Sequence, residues 1–268
     1  MTKAVVVRSE DEVRQASGSS VRFEPSARRV RTMLGGVFVA DSSRVMLMWE
    51  PPRETPVYYF PVADVRRELL FESDHTRSSA AMGEARYWSV RVAESTAENA
   101  AWSYVAPSAG APDASGYVAF KWDQMEAWFE EDDEVFVHPR DPYKRVDVLN
   151  SSRHVRVVIG GETLAETRRP RLLFETGLPT RYYIPKVDVR MDLLTPTDSH
   201  TRCPYKGIAS YWTARVGDQQ FKDIAWAYPA PIPECSKIEN LVSFYNERVD
   251  AIYVDGELQP VPRTPWSR

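Results

Sequence analysis

A chain of 268 residues, 43% hydrophobic and 27% charged, has the make-up of a folded globular protein, which excludes a disordered chain and a membrane bundle. Its net charge of −4 argues against nonspecific nucleic-acid binding, which needs a basic surface to neutralise phosphates. No apolar run approaches the roughly 18 residues of a membrane helix, and Val5-Val6-Val7 is too short for a secretory signal, so a cytoplasmic protein with neither membrane nor nucleic-acid partner is expected.

Residues 1 to 20 mix Ser, Gly and charge and read as a loosely held arm with one edge strand over residues 4 to 8. Beyond the arm the chain is written twice. Ser26-x-Arg28-x-Val30-Arg31 returns as Ser151-x-Arg153-x-Val155-Arg156 at an offset of 125, and residues 58 to 120 return as residues 182 to 244 at an offset of 124. The one-residue difference falls in the loop around Pro51-Pro52-Arg53-Glu54. Within the longer match, Tyr58-Tyr59-x-Pro61 pairs with Tyr182-Tyr183-x-Pro185, Tyr87-Trp88 with Tyr211-Trp212, and Ala101-Trp102-x-Tyr104 with Ala225-Trp226-x-Tyr228. A period this long marks a duplicated domain, since solenoid units run to about 20–50 residues. The domains are placed at residues 1 to 137 and 138 to 268, with the Pro-rich junction His138-Pro139-Arg140-Asp141-Pro142-Tyr143 between them. The acidic run at 130 to 134, just before it, reads as a solvated turn.

In the second copy, Val155, Val157 and Ile159 alternate up to Gly160-Gly161, a hairpin turn permitting positive φ, and residues 162 to 167 return. Val187, Met191 and Leu194 follow Pro185 at helical spacing, with Asp188 near the start, which predicts a short helix in each copy. Residues 211 to 216 and 221 to 228 form the next hairpin around Gly217-Asp218, and 251 to 254 with 258 to 261 a third around Asp255-Gly256. The fold class is therefore mainly β, a tandem duplication of a compact antiparallel domain.

The two copies part company at one box. Cys203-Pro204-Tyr205-Lys206-Gly207 stands where the first copy has Ser79-Ala80-Ala81-Met82-Gly83. His200, Arg202 and Lys206 place cations around Cys203, a setting in which a thiol can act as a nucleophile, while the opposing reading is a small buried hydrophobe. Lys206 replaces Met82 and could hold a carboxylate or phosphate, and Arg181, which replaces Val57, would add a guanidinium. Tyr183, Tyr205, Trp212 and Trp226 could wall a pocket, with Arg181, Asp188 and Glu175 as its orienting charged groups; recurrence of most of these rings in both copies suits core architecture better. No metal is expected, because Cys-x-x-Cys pairs are missing and His75, His138, His154 and His200 lack ligand spacing, and no cofactor motif occurs. Cys203 and Cys235 lie in one copy only, so they form no disulfide framework common to both.

Arg-Tyr-Tyr-x-Pro at 181 to 185, Asp-Val-Arg at 188 to 190, the box at 203 to 207, Tyr-Trp at 211 to 212 and Trp-x-Tyr at 226 to 228 resemble the domain of unknown function 427 family, as a tandem pair over nearly the whole chain. The resemblance implies a β-tent fold similar to that of methionine sulfoxide reductase B. The zinc-holding Cys-x-x-Cys pairs of such relatives are missing, so their metal and redox chemistry are not carried over. A nucleotidyltransferase label attached to the family is disfavoured, because the Gly-Ser and paired-Asp strand pattern that positions two metals is absent. The leading expectation is that the C-terminal domain binds a small anionic ligand in an aromatic-lined cleft built from Arg181, Tyr183, Asp188, Tyr205, Lys206, Trp212 and Trp226. A non-catalytic interaction scaffold, in which the box is a tight turn, is the alternative; an enzyme using Cys203, Lys206 or Asp188 is the third, and a protein partner is left open.

Overall fold

The computed structural model describes residues 21–267, so the edge strand expected over residues 4 to 8 lies outside the described residues. The chain divides into two units, Met1–Pro139 and Arg140–Arg268.

Each unit is two antiparallel layers, and alternation of side chains sets them. In Val30–Leu34, Val30, Thr32 and Leu34 are buried while Arg31 and Met33 are half-buried. In Val155–Ile159 the same period buries Val155, Val157 and Ile159. Both strands turn through a pair of glycines at positive φ, Gly35-Gly36 and Gly160-Gly161, a backbone shape that matches the twist of a two-residue hairpin and that a Cβ would strain. The small layer of the first unit runs, in order, Asp133–Glu134, Ala127–Glu130, Val30–Leu34, Val37–Ser42; that of the second runs Glu257–Leu258, Ala251–Val254, Val155–Ile159, Glu162–Thr167.

The large layer of the first unit has seven strands in the order Arg22–Pro25, Met46–Trp49, Val57–Pro61, Tyr117–Phe120, Ser95–Ala106, Gly83–Val92, Leu70–Ser79. The second unit repeats this order as Val146–Asn150, Arg171–Glu175, Arg181–Tyr183, then Ser243–Phe244, Gln219–Ala227, Gly207–Val216, Leu194–Cys203. Its two halves are stitched by Ile184 and Val242, whose backbones exchange hydrogen bonds of 2.8 and 2.9 Å.

The main core of each unit lies between the layers, and a second apolar cluster lies on the far face of the large layer. Tyr58, Phe60, Val90 and Phe120 point into the first core, and their strand neighbours Tyr59, Tyr87, Trp102 and Tyr104 point to the far face. Tyr182, Ala225 and Phe244 are likewise core, and Tyr183, Tyr211, Trp226 and Tyr228 far-face. The period of two in a strand makes this split obligatory, because adjacent residues face opposite ways. The recurring Tyr-Tyr, Tyr-Trp and Trp-x-Tyr motifs thus serve both surfaces of one sheet.

The short helix expected after Pro185 is two separate 3-10 turns, Lys186–Asp188 and Met191–Leu193, as are Val62–Asp64 and Arg67–Leu69 in the first unit. Val189 between them is extended, and Val187 is 81% exposed, so the apolar residues at helical spacing do not share a face. A bridge from Ala165 to Val189 supplies the reason: sheet pairing takes the backbone a helix would have used.

Candidate functional site

The far face of the large layer carries the chemistry, and the two units use it differently. In the first unit it opens into a cavity of about 80 Å³ lined by Met48, Glu50, Arg53, Val57, Tyr59, Arg77, Tyr87, Trp102, Tyr104 and Lys121. The rings are fixed in place. Trp102 Nε1 donates to Tyr59 Oη at 3.0 Å, Tyr59 stands edge-on to Trp102, and Tyr87 stacks on it with centroids 6.2 Å apart. Glu50 accepts hydrogen bonds from Ser79 Oγ and, at 2.8 Å, from Tyr104 Oη. Burial first, and then the Glu50 carboxylate, push the Tyr104 phenol well above its ordinary range, so it stays protonated as a donor. Lys121 Nζ lies 5.5 Å from the Tyr87 ring. Among the described residues Arg53, Arg77, Lys121 and Glu50 make no ion pair.

In the second unit the equivalent face is filled by its own side chains. Lys206 forms an ion pair with Glu175, the two side chains only 12% and 11% exposed. Burial pulls the Lys206 ammonium down, but Cys203 and Glu175 beside it outweigh the burial and hold it above the ordinary lysine value. Arg181 makes a two-pronged pair with Glu247, at 2.7 Å from Nη1 and 2.6 Å from Nη2, and the Glu247 side chain has no exposure. Burial pushes the Glu247 carboxyl up; hydrogen bonds from Arg181 and Thr264 more than offset it and leave it below the usual range. Tyr245 packs on Trp226 with centroids 4.6 Å apart, at the repeat position that Lys121 occupies in the first unit.

One arrangement is common to both. Trp226 Nε1 donates to Tyr183 Oη at 3.1 Å, as Trp102 does to Tyr59. The box is a tight turn between Leu194–Cys203 and Gly207–Val216, closed by Lys206 N donating to Cys203 O at 3.3 Å. Lys206 O accepts from Ile232 N at 3.1 Å, and Met82 O from Ser108 N at 3.3 Å, which ties each box to the loop that follows the second strand after it. Gly207 has φ +108°, and a Cβ there would meet Ala230 O at 3.2 Å; at Gly83, with φ +91°, it would meet Ala106 O at 2.1 Å. Glycine is demanded at this position by the chain's own backbone.

The family model for a domain of unknown function (DUF427) matches residues 22–131 and again 147–255, the two units just described. The chain belongs to the DUF427 family. A comparison with curated proteins gives no match. No helix among the described residues is long and apolar enough to cross a membrane.

Within the second DUF427 domain, Tyr183, Tyr205, Lys206 and Trp226 gather on the far face or in the turn beside it, and Arg181 Cζ lies 5.6 Å from the Trp226 ring. Tyr205 Oη accepts from Asp141 N at 2.7 Å, and burial pushes this phenol up to about 12. Asp188 and Trp212 lie elsewhere. Trp212 points to the inter-layer core with Lys186 Nζ 5.5 Å from its ring. Asp188 is held by Thr167 Oγ1 at 2.8 Å and Arg169 Nε at 3.1 Å, beside a shallow depression; the first DUF427 domain repeats this pin with Asp64, Ser42 and Arg44. Cys203 is half-exposed at the end of its strand, and Cys235 is buried, its thiol pushed up to about 11 by burial and donating to Tyr205 O at 3.2 Å. Among the described residues no three His, Cys, Asp or Glu side chains converge as a metal-binding group. The residues missed by the sequence are Glu50, Arg53, Arg77 and Lys121, whose signal was available: the repeat places Tyr245 opposite Lys121, Thr201 opposite Arg77 and Glu175 opposite Glu50.

Proposed function

We propose that this protein binds a small organic anion, and that the seat is the aromatic cavity of the first DUF427 domain. The observation that carries this reading is charge left unspent. Three cations, Arg53, Arg77 and Lys121, line a cavity with a single carboxylate and make no ion pair among the described residues. Guanidinium and ammonium groups beside the rings of Tyr59, Tyr87, Trp102 and Tyr104 suit a carboxylate whose hydrocarbon part enters between the rings. In the second domain, a ligand would first have to displace Glu175 from Lys206 and Glu247 from Arg181, and stripping one partner from a buried pair costs about 3–5 kcal/mol. That cost favours the first domain as the seat and a structural role for the second.

Titration of the full chain with butyrate, followed by the indole resonances of a ¹⁵N-labelled sample, tests the reading. The indole of Trp102 moves in a saturable way, and an Arg77→Ala, Lys121→Ala variant loses the response. Saturable binding that survives in that variant overturns the assignment.

A further inference from the structure

The two copies pose the same carboxylate in the same setting and answer it differently. Glu175 ends strand Arg171–Glu175 near the phenols of Tyr205 and Tyr228, and the ammonium of Lys206 closes on it. Glu50 occupies the equivalent place in the repeat, beside Tyr59, Tyr104 and Trp102, and the residue in the position of Lys206 is Met82, fully buried and unable to carry charge. Two neutral hydroxyls, from Ser79 and Tyr104, are what Glu50 receives, and each of its oxygens keeps a lone pair. Glu50 also lines the cavity, whereas the ammonium of Lys206 covers Glu175.

We infer that the first domain takes from solution the cation that the second supplies from its own chain: its ligand carries an ammonium group, seated on Glu50 between the aromatic faces, as well as the anionic group met by Arg53, Arg77 and Lys121. This rests on the anion-binding reading above and narrows it to a zwitterion of the amino-acid class. The physics favours the pairing on both sides. A desolvated ammonium gains from a carboxylate acceptor and from the π faces of Tyr and Trp, and the neutral walls do not compete for it. The rim cations disfavour a ligand that is cationic alone, since it would approach through like charge. The ring-walled volume of about 80 Å³ admits a headgroup and its first carbons, leaving the other end of the ligand at the mouth.

The test compares three probes on the full chain by calorimetric titration and by the Trp102 indole resonance: butyrate, 4-aminobutyrate and butylamine. The inference predicts that 4-aminobutyrate binds at least about tenfold tighter than butyrate, the worth of a hydrogen bond to a charged group, with butylamine weaker than the zwitterion. Glu50→Gln removes the preference for 4-aminobutyrate over butyrate, read as the ratio of the two affinities in the same variant. Met82→Lys, which copies the second domain, fills the seat and excludes 4-aminobutyrate. Equal binding of butyrate and 4-aminobutyrate, or a preference that survives Glu50→Gln, overturns the zwitterion while the anion-binding reading stands. Absence of binding by all three probes removes both, and butylamine binding as tightly as the zwitterion removes the role of the rim cations.

Discussion

Lys206→Met places in the second domain the residue that the first carries at the same position, and its consequence follows from burial. Lys206 and Glu175 are 12% and 11% exposed, and the ion pair between them is the one pair each makes among the described residues. Removing the ammonium leaves a desolvated carboxylate beside Tyr228, for which the loss is about 3–5 kcal/mol. The assay is native-state hydrogen exchange on the full chain. Amides of Gly207–Val216 lose roughly two to four orders of magnitude of protection, at 1.36 kcal/mol per decade, while those of Gly83–Val92 in the other unit are unchanged and serve as the internal control. The first domain also prescribes the remedy. Ser79 and Tyr104 hold Glu50, and Tyr228 already stands where Tyr104 does, so adding Cys203→Ser to Lys206→Met restores a hydroxyl for Glu175 and regains about 1 kcal/mol. Loss below about 1 kcal/mol in the single variant, or no recovery in the double, refutes the claim that this pair is the internal answer to a buried carboxylate.

Other outcomes follow from the same geometry. Gly83→Ala destabilises its domain by about 1–3 kcal/mol or more and by a greater margin than Gly207→Ala, because the added Cβ meets Ala106 O at 2.1 Å in one case and Ala230 O at 3.2 Å in the other; urea denaturation of the two variants gives the order. Tyr183→Phe and Tyr59→Phe each orphan a tryptophan indole N–H and cost about 1–3 kcal/mol, read as equal falls in protection of the respective domains. The Glu247 carboxyl is held below its unfolded value, so the stability it lends the second domain is present above that value, about 4.3, and is lost as pH falls through the folded value; Arg181→Met abolishes this acid dependence in a pH series of denaturation midpoints.

What was legible in the sequence was whatever depends on neighbours. Val155, Val157 and Ile159 announce a strand because burial alternates with period two, and Gly160-Gly161 announces its turn because both residues need positive φ. The repeat itself was legible because both copies preserve the strand order, down to the Trp-to-Tyr hydrogen bond. Charge pairing was hidden because it is nonlocal: Lys206 and Glu175 are 31 residues apart, and Arg181 and Glu247 66 apart. A lysine and an arginine gained by one copy therefore read as a site for an anion, although the same copy holds the carboxylates that satisfy them. The facing of the aromatics was hidden for a different reason, since Tyr-Tyr and Tyr-Trp put one ring on each side of the sheet whichever way the strand is turned. Lys121, Arg77 and Glu50 escaped notice because the first copy looked degenerate at its box, and the cavity they line takes none of its walls from residues 79 to 83.

The most direct test of the account is a comparison of two indole resonances, Trp102 and Trp226, assigned by substituting each tryptophan with phenylalanine, while 4-aminobutyrate is added to the full chain. A saturable shift of Trp102 with Trp226 unmoved is the predicted result, because the ring-walled cavity with unpaired charges surrounds the former. A saturable shift of Trp226 with Trp102 unmoved contradicts it and returns the seat to the second domain, where Lys206 and Arg181 would have to leave their carboxylates to receive a ligand.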